Sequence, residues 1–303
     1  MTIQRAAALA LLAVACVHRS AASLPPMWDD RRLEAALSGG QAKAALAVLT
    51  FETGPLSNES ELRIGDMVTT ALARTGRVAL VERQHIDRAL DEQRFKLTGA
   101  IDDASKAAEV GKLLGAEAVI FGAVSNATQE RVDKFAYDLV RTQVRIDARA
   151  VDTTTGRIIF SESGEGISEA KVVRSADGTL ISGLRDTREE YRKAAAAATE
   201  ALGKRIAPLF PVLGFLVSVS RDEVRADFGA ESGVSVGAEL VAFRTGQRLL
   251  HPVTKQPLGW EKRVLGVLVV RSVEQRGAML VPLESPAEPL RPGDVVVLSE
   301  RLE

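Results

Sequence analysis

The chain has 303 residues, of which 46% are apolar, 26% charged and 4% aromatic, and its formal net charge at pH 7 is -1. This length suggests about two domains, and the apolar fraction is ample for packed cores. The balanced charge argues against generic nucleic-acid binding, because no basic field is available to hold a phosphate backbone. One cysteine excludes an internal disulfide, and with only three histidines it also argues against a closed zinc site.

The first sixteen residues have the pattern of a signal peptide. Arg5 is followed by an unbroken apolar run over residues 6–15, which ends at Cys16. Small residues precede Cys16, so this junction resembles a bacterial lipobox, in which the cysteine sulfur is acylated and becomes the mature N-terminus. The same small residues suit ordinary signal peptidase, so a secreted protein with an unmodified thiol stays open. We expect a signal peptide at residues 1–15 and a tether at 16–42.

Residues 43–207 are expected to form an α/β domain. Short apolar runs at residues 44–51, 77–82 and 116–124 predict buried strands. Helices are expected from about residues 57–60 to Gly76, over 84–95, from Asp102 and Asp103 to Leu114, and over 194–206. Residues 140–151 alternate apolar and charged, which predicts a half-buried strand, and residues 152–156 predict a hairpin turn before a returning strand. The fold expected is a three-layer-like α/β (α+β) domain with a mixed sheet.

The run from Lys43 through the turn at residues 152–156, closed by the helix ending at Ile206, resembles the curli production assembly/transport component (CsgG) family. In chain order, the features that carry the resemblance are Phe51, Gly76-Arg77-Val78, Val81-Glu82-Arg83, Glu92-Gln93, Gly99, Leu113-Leu114-Gly115-Ala116, Gly122, and Asp152 with Thr155-Gly156-Arg157. Members of that family form outer-membrane ring channels, so the resemblance implies a periplasmic domain that oligomerises.

Two segments occupy the positions where channel members carry membrane hairpins, residues 126–137 and 165–186. A membrane strand needs ~9 to 11 residues with every second side chain apolar, and here charged residues fall on both registers. We therefore expect both segments to be soluble loops or short hairpins.

Residues 212–303 are expected to form a small all-β barrel or sandwich, because short apolar runs alternate with Gly-rich turns. This part resembles the C-terminal domain of the flagellar assembly protein T family. His251 and Lys255 stand where members of that group usually have the Asp and the Gly of a tight turn.

No nucleotide-binding Gly motif or catalytic constellation is found. His85 beside Glu82 and Asp87 is interpreted as a solvated helix N-terminus, and Asp102 with Asp103 as a helix cap. The Glu82, Arg83, Glu92 and Gln93 set is interpreted as an ion-pair or subunit contact. We expect no catalytic, cofactor-binding or metal-binding residue, and one lipid attachment site, Cys16.

The sequence therefore predicts a non-enzymatic periplasmic lipoprotein anchored in the outer membrane. It would act in the assembly or secretion of a cell-surface structure, as a homo-oligomeric scaffold that binds other envelope assembly proteins and no nucleic acid. Two alternatives stay open: a true CsgG-type secretion channel, and a soluble periplasmic regulator or flagellar accessory protein.

Overall fold

The computed structural model describes residues 30–39, 43–56, 63–82, 84–86, 88, 104–134, 137–174, 180–182, 187–220 and 223–298. The first part of this chain contains a mixed sheet with helices, and its elements are α1 (Asp30–Leu37), β1 (Ala44–Glu52), α2 (Ile64–Thr75), β2 (Val78–Leu80), α3 (Ala104–Leu113), β3 (Ala118–Lys134), β4 (Tyr137–Asp152), β5 (Ile158–Arg174), β6 (Leu180–Ser182) and α4 (Thr187–Ile206).

The six strands of this sheet lie in the order β2-β1-β3-β4-β5-β6. β1 pairs in parallel with β2 and with β3, whereas β3 to β6 pair antiparallel. Parallel neighbours need a crossover, and α2 supplies the one between β1 and β2. The predicted mixed-sheet α/β fold is confirmed.

Helices cover both faces of the sheet. Alternate residues of β1 point to opposite sides: Leu46 and Val48 join the core beneath α2 and α4, while Ala47 and Leu49 join a second core beneath α3. β4 shows the predicted alternation, with Val144, Ile146 and the other apolar positions buried and the arginines between them exposed.

Some predicted boundaries of the helices and strands are wrong. The helix α2 begins at Ile64 after Arg63, whose backbone is not helical, and so starts later than expected; its end at Gly76 is confirmed by a left-handed φ of 68°. β2 is shorter than predicted, and α4 begins at Thr187, earlier than expected. The proposed caps at residues 57–60, 102 and 103 lie outside the described residues.

The second part is a closed barrel, which selects between the two predicted all-β forms. Its strands are β7 (Leu213–Val219), β8 (Val224–Ala226), β9 (Glu239–Leu250), β10 (Pro257–Val273), β11 (Ala278–Pro282) and β12 (Val295–Leu298). They close in the order β10-β11-β8-β7-β12-β9, with every pair antiparallel. Alternate residues fill the interior; Val296 and Leu298 point inward with Leu240 and Ala242.

Residues 30–37 fall inside the segment expected to be a tether, but they form the helix α1. Leu33 of this helix is fully buried on the outer surface of the barrel, against Leu213, Phe243, Val295 and Val297. A pattern of only eight residues with one large inward side chain carries little periodic signal, so the sequence did not reveal this helix.

Candidate functional surfaces

The central strands continue well beyond the helices that cover them. Residues 126–134 of β3 pair without a break with residues 137–145 of β4, and β4 pairs with β5 as far as Val172. Of the two forms expected for residues 126–137 and 165–186, loops or short hairpins, the described parts are therefore not loops but paired strands that extend the sheet. Charged side chains do not oppose strand formation when they point to water. β4 lies between β3 and β5, so each of these charged segments has β4 as its partner strand.

One face of this extension is open and carries ion pairs across the strands. Arg145 of β4 lies 2.9 Å from Glu165 of β5, and Arg141 lies 3.8 Å from Glu169. The hydrogen bond that Arg145 donates to Asp147 raises the pKa of Arg145, and the negative charges of Asp147 and Glu165 raise it further. Because these groups are exposed, each pair contributes little to stability. The open face therefore carries side chains of alternating charge.

The opposite face is joined to α4 through a buried carboxylate. Glu190 accepts a hydrogen bond from the Ser168 hydroxyl at 2.5 Å and another from the Lys193 ammonium at 2.9 Å. Burial raises the pKa of Glu190, but these hydrogen bonds lower it by more, so its pKa lies below the ordinary value. Its described partners include no histidine, and the arrangement fastens strand to helix rather than activating a nucleophile.

Two glycines let α4 approach the sheet closely, and the sequence analysis missed them. A Cβ on Gly164 would collide with the carbonyl of Ala198, and one on Gly166 with the carbonyl of Ala194. The signal was present, because small residues on the inward face of β5 lie opposite the alanines of α4. Helix and strand backbones can approach this closely only where the side chains are absent.

The helix α1 holds the barrel on one side. Asp30 accepts a hydrogen bond from the backbone of Trp260 at 3.1 Å and lies 2.5 Å from the Lys262 ammonium. Glu34 lies 2.5 Å from Arg248. Together with the buried Leu33, these contacts fix α1 along β9 and β10.

The same helix holds the sheet on its other side. Arg31 binds the Asp152 carboxylate at 2.9 Å, and the guanidinium of Arg32 lies 5.2 Å from the ring centre of Phe210 and 3.5 Å from Glu117. Burial raises the pKa of Asp152, but hydrogen bonds from Arg31 and Thr155 lower it by more. α1 therefore bridges the two parts of the protein.

Beside this bridge lies a cleft of about 730 Å³ between the end of α1, the edge strand β2 and the start of β7. Its two charged side chains are engaged within the protein: Lys43 donates to the carbonyl of Glu231 at 2.7 Å, and Asp227 accepts from the backbone of Phe215 at 2.7 Å. Most other lining residues have apolar side chains, and the described lining presents no paired acid and base.

The turn between β4 and β5 and the turn between β9 and β10 are built alike. Asp152 accepts from the backbone N–H groups of Thr154 and Thr155, and Gly156 follows with φ 69°. In the barrel the His251 imidazole Nδ1 takes the place of the carboxylate and accepts from Val253 and Thr254, and Lys255 takes the left-handed position with φ 57°. The barrel turn thus forms without Asp or Gly.

The other residues that the sequence singled out do not form a site among the described residues. Cys16, Arg83, Asp87, Glu92 and Gln93 lie outside the described residues. His85 is exposed, and its backbone N–H bonds to the carbonyl of Glu82 at 3.0 Å. Within the part of the chain that is described, no three His, Cys, Asp or Glu residues are grouped as metal ligands, and no helix has the length and apolar character to cross a membrane.

Comparison with known proteins gives one family match. Residues 49–131, which run from β1 into the extended part of β3, match the family described as curli production assembly/transport component CsgG. This supports the resemblance inferred from the sequence over part of the segment that carried it. The resemblance of the barrel to the flagellar assembly protein T family is not shown and stays a prediction. No curated protein matches the chain.

Solved structures give distant matches. The lipoprotein GNA1162 from Neisseria meningitidis is 18% identical over 42% of this chain and 83% of its own, with a TM-score of 0.33. The C-terminal domain of LpoB from Escherichia coli is 19% identical over 46% of this chain and 98% of its own, at 0.30. A PelC dodecamer from Paraburkholderia phytofirmans is 14% identical over 55% of this chain and 89% of its own, at 0.26. Superpositions this distant carry no inference about function.

Proposed function

We propose that this protein is a non-enzymatic lipoprotein on the periplasmic face of a bacterial outer membrane, where it serves as an oligomeric scaffold for assembly or secretion of a surface structure. The observation that carries the proposal is the match of residues 49–131 to the curli production assembly/transport family. Cys16 behind its apolar run supplies the anchor, and two or three buried acyl chains hold a protein stably in a membrane.

The geometry of the described residues favours contacts with other proteins over chemistry. The open face of β3, β4 and β5 is a ladder of opposite charges, and the buried carboxylates of Asp152 and Glu190 are both engaged by hydrogen bonds. A surface of this kind selects partners by charge complementarity. The scaffold would therefore place its oligomer or partner contacts on this face.

Two measurements test the proposal. Metabolic labelling with radioactive palmitate should label the wild-type protein and leave Cys16→Ala unlabelled. The mass of the detergent-extracted assembly should be a multiple of the mass of the acylated chain that begins at Cys16. Arg141→Glu with Arg145→Glu should reduce it, because these changes leave the open face with acidic side chains only around Glu165 and Glu169 and so remove its charge complementarity. A control change of Arg74→Glu on α2 should leave the mass unaltered. An unlabelled or monomeric wild-type protein would contradict the proposal.

A secretion channel is the second candidate, and the length of the strands favours it. In β3, residues 126–134 extend beyond the buried part of the sheet, and nine residues meet the lower end of the ~9 to 11 needed to cross a membrane. Against it stand the charges on both registers, each costing about 2 to 4 kcal/mol at the bilayer midplane. Planar-bilayer conductance of the purified assembly separates the two candidates, since a large stable pore belongs only to the channel.

A further inference from the structure

The β9 and β10 strands leave the barrel as a two-stranded ribbon. β12 pairs with β9 only over residues 240–243, and β11 pairs with β10 only over residues 268–273. Residues 245–250 and 257–263 then pair only with each other. At about 3.3 Å per residue, this ribbon projects roughly 20 Å from the barrel.

The outer end of the ribbon, residues 249–258, is apolar and exposed; we call it the ribbon tip. Four of the twelve exposed large apolar side chains of the described chain fall within it, and Val253 at the apex is 81% exposed. The other three are Leu249, Leu250 and Leu258. Consecutive strand residues point to opposite faces, so Leu249 and Leu250 make the tip apolar on both sides. A protein partner docks against one face, whereas a medium that surrounds the tip contacts both.

The charge of the tip has one sign. Residues 249–258 contain Lys255 and no acidic residue. Lys255 sits at the turn itself, next to the most exposed apolar residues. An apolar end with a cation beside it suits the boundary between acyl chains and anionic headgroups.

The position of α1 brings the tip towards the membrane. Asp30, the first residue of α1, contacts Trp260 and Lys262 of the ribbon, so the chain that leads back to Cys16 departs from the ribbon. Thirteen residues, 17–29, separate Cys16 from Asp30, and a chain of that length spans at most about 45 Å. An anchor at Cys16 would therefore keep the base of the ribbon within about 45 Å of the membrane surface.

We propose that the ribbon tip inserts into the surface of a phospholipid membrane, with its leucines and Val253 among the upper acyl chains and Lys255 at the phosphates. The proposal deepens the proposed function and rests on its anchor, because the position of the tether next to the ribbon brings the tip to the lipid. The barrel then stands on the membrane through two points, the acylated Cys16 and the tip.

Vesicle sedimentation tests the tip without the anchor. A chain that begins at Val17 lacks both the apolar leader and the acylation site, and it should sediment with vesicles of phosphatidylethanolamine and phosphatidylglycerol. Val253→Glu and Leu250→Glu should each weaken this binding by about tenfold. Lys255→Gln should weaken it by about fivefold and leave binding to phosphatidylcholine vesicles unchanged.

The matched control is Val236→Glu, because Val236 is 66% exposed but lies in the loop before β9, away from the ribbon tip. It should bind vesicles like the parent chain, which begins at Val17 and has no substitution. Thermal unfolding should show that all four variants are folded. The proposal is wrong if the parent chain does not bind, or if Val236→Glu weakens binding as much as Val253→Glu. If the parent chain does not bind vesicles and Val253→Glu changes the mass of its assembly in solution, the tip is a protein contact instead.

A fluorescent probe reports where the tip lies. Cys16 is the only cysteine, so Val253→Cys in the chain from Val17 carries a single thiol for a polarity-sensitive label. Its emission should shift to the blue when vesicles are added, and the same label at Val236→Cys should not shift. Equal shifts at both sites contradict the proposal. Neither experiment depends on acylation, so its failure is distinguishable from a negative palmitate result.

Discussion

At the scale of single residues, the two similar turns show how one backbone shape is reached with different side chains. In the first turn the Asp152 carboxylate accepts two backbone N–H bonds, and Gly156 takes the left-handed conformation without steric cost. In the second turn, Nδ1 of His251 accepts N–H bonds from the two equivalent positions, but Lys255 holds a left-handed backbone that β-carbons disfavour. The barrel turn is therefore strained where the other is not.

Replacing this lysine tests that strain. We expect Lys255→Gly to stabilise the folded chain by about 0.5–1 kcal/mol, because the relief of the left-handed conformation exceeds the entropy that a glycine adds to the unfolded state. The urea midpoint measures the change. Gln256→Gly, at the next position without a positive φ, serves as the control and should be destabilising; a lower midpoint for Lys255→Gly contradicts the argument.

At the scale of elements, the approach of α4 to β5 depends on absent side chains. Gly164 and Gly166 face the carbonyls of α4, and backbone atoms cannot move aside as a flexible side chain does. The same strand points Glu165 away from the helix towards Arg145. Adjacent positions of β5 therefore have opposite tolerance to substitution.

We expect Gly166→Ala to destabilise the protein by about 1–3 kcal/mol, since α4 must shift to accept the methyl group. Glu165→Ala removes only an exposed ion pair and should cost less than about 1 kcal/mol. Denaturant unfolding of the two variants side by side provides the comparison. Equal effects would mean that the helix does not pack as closely as the structure shows.

At the scale of the whole molecule, α1 connects sheet and barrel with few residues. Leu33 fills a site on the outside of the barrel, while Arg31 and Arg32 reach the sheet side at Asp152 and Glu117. The orientation of the ribbon relative to the tether depends on this helix.

Leu33→Ala should therefore lower the free energy of unfolding by about 2–4 kcal/mol through the cavity it leaves. Leu37→Ala changes the same residue type on the same helix, but Leu37 is 42% exposed and its effect should be clearly smaller. Calorimetry measures the change in the free energy of unfolding for both variants. If the two variants unfold alike, α1 does not hold the barrel through Leu33.

Much of this fold follows from local patterns in the sequence. The short buried strands, the alternation of β4, the turn at Asp152 and the end of α2 at Gly76 were all predicted, because each depends on periodicity or on the conformational freedom of one residue. The candidate lipid site at Cys16 stays a prediction. These features need no knowledge of distant contacts.

The extended strands, the helix α1 and the exposed ribbon tip depend on contacts between distant parts of the chain. Charged segments beside β4 became strands because partners lie alongside them, and residues 30–37 became a helix because the barrel offers Leu33 a place. The apolar residues of the ribbon tip were visible in the sequence, but an apolar residue in a strand is normally buried. The tertiary structure shows that the pairing of β12 with β9 and of β11 with β10 ends before the ribbon tip. The apolar side chains of the tip are therefore not covered by the barrel and are exposed.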